Sequence, residues 1–150
     1  MGVEKKMNNI KVTMLDQNLD VMTREFNIIH ALPLINVLQV VGERAEQEGY
    51  DELRRDVEKN GFTNPIVIIK NTPENYKLAI RQVTKELVNR YVNAHRTYLC
   101  MYGNQRVDIA LNLRIFHLDA IIADNVEWAH AIQLKLDTKS FKPNPLPPLR

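Results

Sequence analysis

The sequence predicts an α+β protein: a small mixed sheet with flanking helices, one of them long and inserted between two strands. Three observations carry this expectation. Short β-branched runs bounded by turn residues, such as residues 65–70 (PIVIIK) and 97–102 (TYLCMY), have the length and composition of buried strands. Stretches with apolar residues three and four apart lie between them and mark amphipathic helices. The chain has 150 residues, 45% apolar and 25% charged. A single domain of this size buries about 70% of its unfolded surface and needs no disulfide or metal staple.

In chain order, residues 1–9 are polar and lack the apolar core of a signal peptide. Ile10, Val12 and Met14 alternate like a strand, and residues 26–29 begin another, whereas residues 16–26 have a mixed pattern that fits neither element. The longest apolar-rich stretch, residues 31–41, is broken by Pro33, Asn36 and Gln39. It falls well short of the roughly 20 residues of a membrane span. Residues 50–60 form a helix with Tyr50, Leu53 and Val57 on one face and Gly61 as its C-terminal stop. The strand at 65–70 follows. A helix over residues 73–93 is then signalled by Thr72 as N-cap, Pro73 in the first helical position, Glu74 in the first turn, and apolar Tyr76, Ile80, Val83, Leu87 and Tyr91. The strand at 97–102 runs directly into Gly103. A helix over 105–113 has Val107, Ile109, Ala110 and Leu113 at helical spacing, and residues 118–123 are a further strand. A last helix starts at Asp124 or Asn125 and turns Trp128, Ala131, Ile132 and Leu136 inward. Pro143, Pro145, Pro147 and Pro148 then predict an extended tail. The division expected is an N-terminal extension (1–30), a domain (31–137) and a Pro-rich tail (138–150).

The net charge of +2 argues against non-specific coating of DNA. Its distribution is uneven: residues 1–69 sum to −3, residues 70–96 to +4 and residues 97–150 to +1. Most of the positive excess therefore sits on the 70–96 segment, within which the 73–93 helix carries Lys77, Arg81 and Lys85 every four residues as one basic stripe. Such a stripe is either a solvated face or a surface that steers a polyanion. Cys100 is the single cysteine and has no internal partner, which fits a reducing cytoplasm. His30, His95, His117 and His130 are scattered without paired ligand spacing, so no metal site is expected.

Chemistry is concentrated where the 97–102 strand turns into a helix, at Gly103-Asn104-Gln105-Arg106. Free backbone N–H groups and the positive helix end favour an anion there, and glycine lets the backbone approach it. Arg106 adds a fork of donors suited to phosphate, while Asn104 and Gln105 can hydrogen-bond a base or sugar. The plain alternative is a structural turn.

The runs GYDELRRDVEKNGFTNPIVII and YLCMYGNQRVDIALNLRIFHLDAIIAD resemble the N-terminal domain of the ParB family, which shares its fold with sulfiredoxin. Leu53, Val57, Gly61, Pro65, Gly103, Arg106, Ile109 and Ala110 stand where that family's motifs have their counterparts, and Arg44 matches an arginine preceding its first helix. The likeness spans residues 32–124. It implies a ParB/sulfiredoxin-like sheet and a nucleotide phosphate cradle at the Gly103–Arg106 turn, with CTP or ATP and magnesium as ligands. Some members of the group are nucleases, and small stand-alone members resemble phage proteins, which would place this one in a host cytoplasm.

The departures are as informative. The second arginine of the family's G-E-R-R form is Val107 here, and the sulfiredoxin form G-C-H-R has become Gly103-Asn104-Gln105-Arg106, without the nucleophilic cysteine or its histidine. Sulfiredoxin chemistry is therefore not expected. The 73–93 helix replaces a short hairpin, and no helix-turn-helix for DNA binding follows the domain.

The leading expectation is a domain that binds a nucleotide or a nucleic-acid phosphate at Gly103–Arg106, with hydrolysis of the nucleotide left open and Asp108 and His117 nearby in sequence. A second reading, from a different class, is a degenerate fold serving as an interaction or structural module of a virion or of host takeover. In it the 141–150 tail and Trp128 hold a protein partner, or the chain forms a homo-oligomer. A third is a metal-dependent nuclease recruiting Asp16 and Asp20, or Asp51 and Glu52, although acids near helix starts usually serve capping and solubility.

Overall fold

A computed structural model describes residues 8–39, 49–79 and 96–139. Its elements in chain order are β1 (Asn9–Leu15), β2 (Val21–Pro33), a 3-10 turn (Leu34–Asn36), β3 (Val37–Gln39), α1 (Tyr50–Asn60), β4 (Ile66–Lys70), α2 (Pro73–Ala79), β5 (Tyr98–Tyr102), α3 (Asn104–Asn112), β6 (His117–Ala123) and α4 (Val126–Lys139). Six strands form one mixed sheet in the order β1-β2-β6-β4-β5-β3. Two of its pairings, β4 with β6 and β3 with β5, are parallel; the others are antiparallel. The α+β class follows from these elements directly.

The central strand shows why the sheet is covered on both sides. Ile66, Val67, Ile68 and Ile69 have no solvent exposure. Side chains alternate across a strand, so an uninterrupted apolar run needs apolar cover on each face. Val67 and Ile69 join a cluster with Leu99, Ile121, Trp128, Ile132 and Leu136, which brings α4 onto one face. Ile66 and Ile68 join Cys100, Val107, Ala110, Leu118 and Ala120, which brings α3 onto the other.

Local capping sets where the helices begin. Thr72 Oγ1 accepts the Asn75 N–H at 3.0 Å, the N-cap expected for a helix opening on Pro73. Residues 80–93 of that expected helix, with Arg81 and Lys85, lie outside the described residues, as do Arg44 and the 141–150 tail. Asn125 rather than Asp124 caps α4, its Oδ1 accepting the Trp128 N–H at 2.9 Å. The helix then continues two residues past the expected end at 137. Gly61 adopts φ +79° and donates its N–H to the Val57 carbonyl at 2.7 Å, ending α1.

The main difference from the sequence reading concerns residues 9–30. The boundary drawn at residue 30 falls inside β2, and residues 9–30 form β1 and most of β2, paired to the rest of the sheet. The mixed 16–26 stretch is a hairpin tip and the start of β2. Asp16 Oδ1 accepts the N–H groups of Asn18 and Asp20, both at 2.8 Å, and so shapes the turn. Residues 21–25 are all exposed, which explains why they lack an apolar alternation. Only at Phe26 does β2 reach the core, packing its ring 5.5 Å from that of Trp128. Arg24 closes this contact from outside, lying over both rings and pairing with Asp124. β3 is also absent from the sequence reading, because three residues are too few to show a period.

Trp128 is 4% exposed and links β2 to α4. Trp128→Ala should lower unfolding stability by about 3–5 kcal/mol in urea titrations; a loss under ~1 kcal/mol would show that α4 is not anchored here.

Candidate anion-binding site

The turn between β5 and α3 is fixed by steric contact. Gly103 has φ +108°, where L side chains are strained. A Cβ at this position would lie 2.6 Å from Ile66 Cγ2 and 3.1 Å from Ile66 Cβ. Glycine is thus required for the start of α3 to pack onto the start of β4. The glycine that the sequence suggests for ligand approach has this packing role in full.

The Arg106 guanidinium is drawn into the same corner. It is half-buried, and its Nη1 donates to the Pro65 carbonyl at a long 3.4 Å. Among the described residues no carboxylate lies within ion-pair distance of it. Burial pulls its pKa down, opposed by the Cys100 thiolate, which forms only at high pH, and by Asp137, yet a guanidinium stays charged at any ordinary pH. The first turn of α3 holds no acidic side chain. Its leading N–H groups have no carbonyl acceptor within the helix, so their partial positive charge adds to that of Arg106.

The neighbouring candidates are used differently. Asn104 is buried, and its Nδ2 donates to the Cys100 carbonyl at 3.2 Å. Its Oδ1 is buried and has no hydrogen-bond partner among the described residues. Its backbone carbonyl and the Asp108 carboxylate both accept from Gln39 Nε2, at 3.2 and 2.8 Å. Asp108 therefore ties α3 to β3. Gln105 is half-buried. Lys77 is exposed on the described part of α2, and His117 is exposed at the start of β6 opposite Pro33. Asp16 shapes a turn, while Asp51 and Glu52 are exposed acids in the first turn of α1. Among the described residues, no group of three or more His, Cys, Asp or Glu side chains is placed to hold a metal ion.

Two polar arrangements had no sequence signal. His30 Nδ1 meets Asp119 Oδ2 at 3.2 Å and its Nε2 meets Asn8 Oδ1 at 3.3 Å. Asp119 also accepts the N–H of Ala31, which holds φ +62° at an irregularity between β2 and β6. Tyr102 Oη and His130 Nδ1 lie 3.0 Å apart, and burial, then Asp137, pushes the Tyr102 pKa up. These pairs are separated by 89 and 28 residues and meet only because the sheet and α4 bring them together.

No protein-family model matches the chain, and no curated protein matches it. A solved structure does: the crystal structure of sulfiredoxin from Arabidopsis thaliana, at 16% sequence identity and a TM-score of 0.42, over 73% of this chain and 96% of that one. No helix among the described residues is long and apolar enough to cross a membrane.

Cys100 is fully buried in the strand leading to the turn, its Sγ donating to the Tyr102 carbonyl at 3.5 Å, and burial pushes its thiol from 9.0 up to about 12. It should resist thiol reagents until the chain unfolds. The unfolded thiol ionises first, so this contribution to stability is complete below pH 9.0 and is lost as pH rises toward about 12; rapid labelling of the native protein at neutral pH would contradict the burial. Gly103→Ala should cost at least about 1–3 kcal/mol from backbone strain and the clash with Ile66, measured by chemical denaturation.

Proposed function

We propose that this protein binds a phosphate-bearing ligand, a nucleotide in the first instance, at the turn formed by Gly103 and Arg106. The observation that carries the reading is the half-buried Arg106 guanidinium, which among the described residues has no carboxylate counter-ion and stands one turn into a helix that begins without an acidic side chain. A partly desolvated cation beside a helix N-terminus is stabilised by an anion, and a guanidinium suits the bidentate geometry of phosphate. The likeness of the GNQR turn to the ParB-family cradle supports a nucleotide as that anion, CTP or ATP.

The residues divide the work simply. Arg106 and the leading N–H groups of α3 hold a phosphate. Gly103 keeps the turn tight, and Asn104 fixes it to the end of β5. The resemblance also implies magnesium; among the described residues no group of three or more His, Cys, Asp or Glu side chains is placed to hold it, so it would come with the nucleotide. The reading is one of binding: Asp108, the nearest acid in sequence, is held by Gln39. Lys77, continued in sequence by Arg81 and Lys85, supports a polyanion as the larger ligand. An added interaction role rests on a separate observation, the exposure of Leu15, Leu19 and Val21 on the β1–β2 hairpin.

The test is a melting-temperature panel of CTP, ATP, inorganic phosphate and single-stranded DNA, with and without magnesium, on the native chain and on Arg106→Ala. A ligand at one hundred times its dissociation constant adds about 2.7 kcal/mol. Losing a hydrogen bond to a charged group costs about 1.5–3 kcal/mol, so the substitution should weaken binding roughly tenfold to a hundredfold. Equal responses from the two proteins would remove Arg106 from the site, and no response to any phosphate would end the proposal.

A further inference from the structure

We propose that the outer edge of β1, which no strand among the described residues pairs with, joins the β1 edge of a second copy of this chain in one antiparallel register centred on Val12. β1 is one of the two edge strands of the sheet, β3 being the other. The Asn8 carbonyl accepts the Ile28 N–H at 2.9 Å, and the pairing runs on from Asn9 with Asn27 to Leu15 with Val21. Hydrogen-bonded and non-bonded pairs alternate in an antiparallel ladder. Ile10, Val12 and Met14 therefore turn their backbone groups toward β2. Asn9, Lys11, Thr13 and Leu15 turn theirs outward, to the open edge.

Two-fold symmetry requires outward-facing residues to meet outward-facing ones. All four are used only when Asn9 faces Leu15, Lys11 faces Thr13 and Val12 faces itself across the axis. A shift of one pair in one direction sets Lys11 against Lys11; a shift in the other leaves Asn9 unpaired. A lysine on an edge strand is a common guard against pairing. Here its charge excludes the register that opposes like charges, and on its own chain Lys11 stands beside Glu25 of β2.

The face beneath α4 supplies the second argument. A groove between β1 and α4 is lined by Met14, Leu15, Met22 and Leu134, with Glu127 and Lys135 at its polar wall. Leu134 is 54% exposed, a high value for a leucine beside a strand edge. The two-fold axis joins the Ile10, Val12 and Met14 rows of the copies into one apolar face. It also reverses the direction of α4, so the Glu127 end of one groove meets the Lys135 end of the other. Opposite charges then close a seam whose centre is apolar.

Sedimentation equilibrium of the full chain over a concentration series tests this. The native chain should reach about twice the single-chain mass. Thr13→Pro removes an N–H that points away from β2 and should give a monomer with unchanged far-UV circular dichroism. Glu127→Lys should weaken the dimer roughly tenfold or more, and Lys135→Glu in the same chain should restore it, which decides the matter even if the proline variant does not fold. A native chain that stays monomeric throughout, or a dimer indifferent to both changes, overturns the proposal. So does a monomer whose Lys11 and Thr13 amides are protected from exchange, which would assign the edge to another segment of its own chain.

Discussion

Burial of β4 on both faces is the constraint from which the rest of the architecture follows. Four consecutive side chains with no exposure, Ile66 to Ile69, force apolar layers above and below one strand. Each such side chain is worth roughly 1.5–3 kcal/mol when taken out of water, so a sheet left open on one side would forfeit several kcal/mol. α3 and α4 are the helices that meet this demand. Their sequences answer it differently: α3 presents Val107 and Ala110, small enough for close approach to Cys100 and Ile66, whereas α4 presents Trp128, Ile132 and Leu136 across a wider span.

The same constraint makes the candidate site. Because Ile66 packs against the start of α3, position 103 must be glycine and the helix must begin at the sheet end. Arg106, one turn on, is thereby pulled beside the Pro65 carbonyl into a partly dry corner. A guanidinium in such a place lacks full hydration and, among the described residues, lacks an ion-pair partner. Stability and ligand affinity are therefore coupled in this corner, because the contact that orders the turn also desolvates the charge.

Elements whose signals are local were legible. The PIVIIK run, the Thr72-Pro73 helix start, the Asn125 cap and the inward set Trp128, Ala131, Ile132 and Leu136 are chemistry between near neighbours, and each stands within a residue or two of its place. The first half of β2 was not legible. Its side chains face solvent, and what makes it a strand is pairing with β1 and, later, β6. The turn at Gly103 was found because glycine, helix start and arginine lie within four residues. The inward turn of Asn104 was not, because it depends on the carbonyl of Cys100 and the contact with β3.

By itself, then, the sequence determined the α+β class, the central apolar strand, two helix starts and the location of a cationic turn. Periodicity, capping and glycine chemistry act over a few residues and need no partner strand. Only the tertiary structure decided that residues 9–30 belong to the sheet, that Asn104 and Asp108 are spent on holding the turn, and that His30 meets Asp119 and Tyr102 meets His130. Those outcomes depend on strand order, and strand order is set by which apolar faces can be covered at once, a condition spread over the whole chain.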